Sequence, residues 1–233
     1  MVEMRIVTKI KKGPIPISLQ NKSSNWTQQL LDEIDKNAND ATKVAEKFWN
    51  KYRKEDIKKA LKEECFGKCM YCDTKIGVSD YEQIEHILPK KLNPELTYQW
   101  RNLGWACQKC NGLKKENEII NPYEEDFELK FKINISMWLT PKRSDDYKTK
   151  FFIEVLQLNS RVDLVAKRCS ICNGFENNLM KLKELIDNED PNAKYFYKTL
   201  ILEMEQDKEY YIFKKNIHNN FFKINGINLD LLR

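Results

Sequence analysis

Two C-x-x-C pairs, Cys69-Met-Tyr-Cys72 and Cys107-Gln-Lys-Cys110, stand 34 residues apart. No other feature of the chain restricts its fold as tightly. Four thiolates at about 2.3 Å satisfy a tetrahedral Zn2+ completely and leave no open position for a substrate, so an ion held by these four is structural. The chain has seven cysteines. An odd count argues against a disulfide framework, and paired spacings in a reducing compartment read first as metal ligands. The competing reading treats the four as unrelated small core residues. The interval between the pairs is longer than in a compact zinc ribbon and has room for a folded insert.

The rest of the composition sets looser limits. A chain of 233 residues can bury enough surface for one large domain or two small ones. Its 40 basic and 35 acidic residues leave a formal charge of +5, a mild excess that permits a nucleic-acid partner without demanding one. No segment reaches the roughly 18 to 20 unbroken apolar residues of a membrane span. The opening MVEMRIVTKIKK lacks the apolar core of a signal peptide, so a cytoplasmic protein is expected.

Hydrophobic spacing predicts an α+β, mostly helical fold in three regions. In residues 1–65, MRIVTKI reads as extended and GPIPIS as irregular, giving an arm up to about residue 25. Three helices then follow from Trp26 to Cys65, broken near Asn37–Asp40 and Arg53–Glu55. Residues 66–120 change character, with short runs, turn formers and the paired cysteines marking a small functional module. In residues 121–233, FELKFKINISMWL reads as one or two strands. From Asp145 onward the helical pattern returns, with a last helix after Pro191 that includes Phe196, Leu200, Ile201 and Met204. The apolar ending NNFFKINGINLDLLR is expected to pack on its own domain, with an exposed partner contact as the lesser alternative.

Between and just after the cysteine pairs lie Glu85-His86-Ile-Leu-Pro, Asn102-Leu103 and Cys110-Asn111-Gly-Leu-Lys114. One of only two histidines in the chain thus follows a carboxylate and precedes a proline. This pattern resembles the HNH endonuclease motif over about 50 residues. The resemblance implies a zinc-stapled ββα-metal module in which Glu85 and Asn111 hold one catalytic divalent ion and His86 is the general base. It also implies that Asn102 fixes the loop joining the two halves and that Lys114 sits near the substrate phosphate. Hydrolysis of a phosphodiester needs an activated water on one side and stabilisation of the leaving oxygen on the other. A neutral imidazole suits the first task, and an oxygen-ligated Mg2+ or Mn2+ the second. Many members of the family have Asp at the first position and His at the last, where this chain has Glu85 and Asn111. Glu keeps a carboxylate with one methylene more reach and Asn offers an amide oxygen, so neither change abolishes an oxygen ligand, and the preferred metal is left open.

The wider layout, including LTYQWRNLGWACQKCN, IINPYEEDFELKF and LQLNSRVDLVAKR, resembles the PtuB nucleases of Septu anti-phage systems and related retron-associated HNH nucleases. That resemblance implies a PtuA-like partner ATPase of the ABC or SMC type. In retron versions it also implies a reverse transcriptase with its reverse-transcribed DNA. The substrate it implies is DNA or tRNA. The competing reading is a non-catalytic zinc module that binds nucleic acid or a protein partner.

Other features carry less. Cys169 and Cys172 form a third C-x-x-C inside a helical pattern and read as helix residues rather than ligands. His218 has no acidic neighbour and reads as a surface or capping residue. Tyr98, Trp100 and Trp105 could stack on bases, but packing the module against helices is the favoured use. Lys90, Lys91, Arg101, Lys109, Lys114 and Lys115 give the module a basic excess that suits phosphate contact, with a solvated face as the alternative.

Overall fold

Pro16 ends the proline-rich segment and starts the first helix. The computed structural model describes residues 9–77, 81–229 and 232 and resolves two compact units, Met1–Phe127 and Glu128–Arg233. Most of the extended stretch expected over MRIVTKI lies outside the described residues. Helix α1 spans Ile17–Lys36, so the arm expected to residue 25 is corrected to a helix that begins well before Trp26. A proline just ahead of a first turn removes no hydrogen bond, because the leading N–H groups have no intrahelical acceptor. The freed Ser18 N–H is taken instead by the Asp56 carboxylate at 2.8 Å. Leu19, Trp26, Leu30 and Ile34 bury one face of α1. The helix ends where Ala38 and Asn39 turn into the left-handed region.

Helices α2 (Glu46–Trp49) and α3 (Glu55–Glu64) complete the helical part of this unit and pack against α1. Strand β1 (Glu82–His86) pairs antiparallel with β2 (Leu103–Cys107), setting Glu85 opposite Gly104 and His86 opposite Leu103. Helix α4 (Gln108–Lys114) follows β2 directly and packs on both strands, while α3 covers β2. The segment ahead of α1 is tied in by Lys12. Its Nζ lies 2.9 Å from Glu64 and 2.6 Å from the Leu103 carbonyl, over the rings of Trp100 and Tyr123. Glu64 also accepts from the Gly13 N–H and the Tyr123 hydroxyl. A buried carboxylate with three donors is compensated where an isolated one would be costly. Tyr98, Trp100 and Trp105 are all buried, which assigns them to packing rather than to base stacking.

In the second unit the expected strands begin later than the sequence suggested. Phe127–Lys130 forms one helical turn, α5, and the strands are β3 (Phe131–Ile133) and β4 (Leu139–Pro141), paired antiparallel. The Asn134 side chain closes the hairpin by accepting from the N–H groups of Ser136 and Trp138 at 2.9 and 3.0 Å, the local bonding that makes Asn a turn residue. Helix α6 (Tyr147–Val155) is capped by Asp146, whose carboxylate accepts from the Thr149 N–H. Helix α7 (Val162–Asp187) contains Cys169 and Cys172, as its pattern predicts. The buried Arg168 guanidinium donates to the carbonyls of Met137 and Leu158 at 2.9 and 3.0 Å, joining the hairpin to the end of α6.

Helices α8 (Ala193–Leu202) and α9 (Tyr211–Asn225) pack on α7. The helix after Pro191 therefore stops before Met204, and much of the apolar ending belongs to α9, with Phe222 and Leu232 buried. His218 is not a surface residue. It is buried against the rings of Tyr197 and Phe222, and its Nε2 lies 3.2 Å from the Tyr197 hydroxyl. Its Nδ1 lies 3.1 Å from Oδ1 of the adjacent Asn219, but Tyr197 comes from α8, which no neighbouring residue in the sequence could signal. No described helix is long and apolar enough to cross a membrane.

Candidate active site and metal cluster

The Sγ atoms of Cys69, Cys72, Cys107 and Cys110 lie within 4.8 Å of one another, and all four residues are buried. Sulfurs bound tetrahedrally at zinc–sulfur distances are separated by about 3.8 Å, so the donor set fits one closed, structural ion. The first knuckle is pinned to the sheet by the Met70 N–H, which donates to the Trp105 carbonyl at 2.9 Å. It turns at Asp73, whose φ is 62°. The second knuckle is the start of α4, where the Cys110 N–H donates to Cys107 Sγ at 3.4 Å. Burial pushes the Cys69 thiol well up, and the three neighbouring cysteines add to it. Metal binding at this cluster therefore releases protons.

The second centre lies at the end of β1. Glu85 is buried, with Oε1 2.9 Å from Lys114 Nζ. Burial raises its carboxyl to about 7 against the opposing pull of the Lys114 ammonium. Glu85 Oε2 has no hydrogen-bond partner among the described residues. A carboxylate oxygen left free of hydrogen bonds is a hard donor of the kind divalent cations take, and the Asn111 amide oxygen is another. Asn111 is half-buried in the middle of α4, one turn before Lys114 and so on the same helical face.

His86 is held from two sides. Its Nε2 lies 3.0 Å from the Thr97 carbonyl, and the Tyr52 ring meets it edge-on at 4.7 Å between centroids. A carbonyl only accepts, so Nε2 carries the proton and the lone pair is at Nδ1. Nδ1 has no partner among the described residues. Burial first, then the charge of Lys90, pulls the imidazole down to about 3, which keeps it neutral at ordinary pH.

Asn102 organises the connection between the strands. Its Nδ2 donates to the carbonyls of Leu88 and Leu96 at 3.0 and 3.2 Å, and its Oδ1 accepts from the Leu88 N–H at 2.7 Å. The adjacent Ile87 N–H donates to the Asn102 carbonyl at 2.9 Å. One amide thus fixes both sides of the loop after His86.

Lys114 stands apart from the expectation drawn for it. The sequence set it near a substrate phosphate, but it has no exposed surface, and its Nζ is taken by Glu85 and, at 2.9 Å, by the His86 carbonyl. Glu85, His86 and Lys114 come together, and the Asn102 amide closes the loop that follows them. Sequence reasoning missed Thr97, Tyr52 and Lys90 as neighbours of His86. Lys90 had a signal in its place just beyond the EHILP run, whereas Tyr52 comes from the helical region and had none.

Comparison with known proteins agrees with this geometry. Residues 69–117 match the family model of the HNH endonucleases. Septu protein PtuB of Bacillus thuringiensis is 32% identical over 185 residues, which cover 77% of this chain and 65% of that protein. Septu protein PtuB of Bacillus mycoides (strain KBAB4) is 43% identical over 79 residues, 28% of this chain and 27% of that protein. The chain thus spans just under two thirds of the first relative and about a quarter of the second. Residues 69–117 are an HNH endonuclease domain, carried on a chain similar over most of its length to a Septu PtuB protein.

Proposed function

We propose that this chain is a metal-dependent HNH endonuclease that hydrolyses phosphodiester bonds in DNA or tRNA. Its similarity to Septu PtuB proteins supports a place as the nuclease subunit of an anti-phage complex with a PtuA-like ATPase of the ABC or SMC type. The single observation that carries the reading is the orientation of His86 within a segment matched by the HNH family model. With Nε2–H fixed on the Thr97 carbonyl, Nδ1 accepts a proton from the attacking water as general base. Asn102 holds the following loop so that the imidazole keeps this orientation. Glu85 and Asn111 would hold the divalent ion, Mg2+ or Mn2+, which when bound neutralises charge on the phosphate and leaving oxygen. The four cysteines would hold Zn2+ and brace α4 against the strands.

Plasmid DNA and tRNA cleavage, with Mg2+ or Mn2+ and with or without the ATPase, tests the proposal. Activity of the unmodified chain should be lost in His86→Ala, and equal cleavage by the two would remove His86 from the mechanism. The Lys114–Glu85 pair favours a second reading, a zinc-stapled module that binds without hydrolysis, because the metal-ligand carboxylate already has a cation. Silence of the unmodified chain on both substrates, with both metals and the ATPase present, would select it.

A further inference from the structure

Lys90 differs from several other lysines withdrawn from water in what surrounds its charge. Lys12, Lys68, Lys114 and Lys214 are each paired with a carboxylate, from Glu64, Asp73, Glu85 and Glu203 respectively. Lys90 is half-buried, yet no carboxylate lies within ion-pair distance of its Nζ among the described residues. Its Nζ is held by neutral groups, the Asn50 Oδ1 at 3.1 Å and the Tyr52 hydroxyl at 3.3 Å, and it faces the Tyr52 ring at 5.1 Å. Lys91 adds a second ammonium over the Trp49 ring at 4.0 Å, likewise without a carboxylate.

The nearest carboxylate acting on Lys90 is Glu46, which lies beyond ion-pair distance and is joined to it only through Asn50, whose Nδ2 donates to Glu46 Oε2 at 2.6 Å. A half-buried ammonium with no direct ion pair costs stability and persists where an anion completes it. Burial indeed pulls the Lys90 ammonium down to about 8. The position is informative too, because the Tyr52 ring that supports Lys90 also packs against His86. An anion on Lys90 therefore lies next to the imidazole.

We propose that Lys90, oriented by Asn50 and Tyr52, binds a backbone phosphate of a nucleic-acid strand beside His86. This is the phosphate contact that the sequence had assigned to Lys114, which is instead committed to Glu85. The proposal takes its meaning from the nuclease reading, but its test does not depend on hydrolysis.

The test measures fluorescence anisotropy of a labelled single-stranded DNA and of the same sequence as RNA. The 233-residue zinc-loaded chain is used in a His86→Ala background with no added Mg2+ or Mn2+, across a salt series. Lys90→Gln should weaken binding about five-fold at 0.1 M salt and lower the salt slope by about 0.7, the signature of one lost phosphate contact on a single strand. Lys90→Arg should retain most of the affinity, and Lys59→Gln, an exposed lysine on α3, should change little. Loss on DNA alone or on RNA alone would assign the strand type. An unchanged slope in Lys90→Gln, or no binding of either strand by the parent, would overturn the proposal. So would a Lys90→Gln chain that fails to fold or loses zinc, because removing a half-buried charge that has no direct ion pair should not destabilise.

Cleavage assays separate this proposal from the nuclease reading. Cleavage that proceeds with unchanged KM in Lys90→Gln would reject Lys90 and keep the enzyme. A Lys90-dependent salt slope in a chain that never cleaves would do the reverse.

Discussion

Lys114 and Glu85 bury opposite charges 2.9 Å apart with almost no solvent around them. Removing one partner of such a pair strands the other, so Lys114→Met should cost about 3–5 kcal/mol in urea unfolding. The double variant Glu85→Gln/Lys114→Met should recover part of that loss, and simple additivity would show that the two charges do not depend on each other. Asn102 is similar without charge. Asn102→Ala leaves the Leu88 N–H and the Leu88 and Leu96 carbonyls short of a partner and should cost about 2–3 kcal/mol, read from the same unfolding curves. At this scale the sequence marked Glu85, His86, Asn102, Asn111 and Lys114 as members of one motif. It could not tell a lysine that meets phosphate from one that neutralises a carboxylate. That distinction depends on burial, which is set when α4 closes on β1.

The ββα element is short for its task. Two strands of five residues and a helix of seven bury too little apolar surface to be stable alone, and the cysteine cluster supplies the missing constraint. The chain should carry one zinc through Cys69, Cys72, Cys107 and Cys110. Chelation, or Cys110→Ala, should lower the melting temperature and abolish the cooperative transition of this module, measured by metal analysis and thermal unfolding. Normal zinc content in folded Cys110→Ala protein would contradict this assignment. Gly104 gives a second check. A Cβ there would lie 2.3 Å from Met70 Sδ, next to Cys69. Gly104→Val should therefore displace Met70 and cost about 1–3 kcal/mol, with weaker zinc retention. Element types were readable where the apolar period ran long, as in α3 and α7. They were misread where one local rule masked another. The prolines before α1 looked like an arm although they sit where a helix tolerates them, and FELK carried too short a pattern to separate a helical turn from a strand.

At the scale of the whole molecule, the HNH domain and the helices α1 to α3 belong to one compact unit, Met1–Phe127, and the remaining helices to another. A fragment of residues 1–127 should fold and retain one zinc, giving a cooperative melt of its own. A fragment that is unfolded in the presence of zinc would show that the division is not one of stability. The sequence by itself determined the chemistry on offer. Thiolate pairs, a carboxylate–histidine step and two asparagines are local patterns whose meaning comes from residue type and spacing, and both can be read along a line. Only the tertiary structure decided how charge is distributed around His86. Tyr52 arrives from the helical region, Thr97 from the loop and Lys114 from α4. Whether a lysine is spent on an internal carboxylate or left for an external phosphate follows from which of these elements close around it, because burial and pairing are properties of neighbours in space.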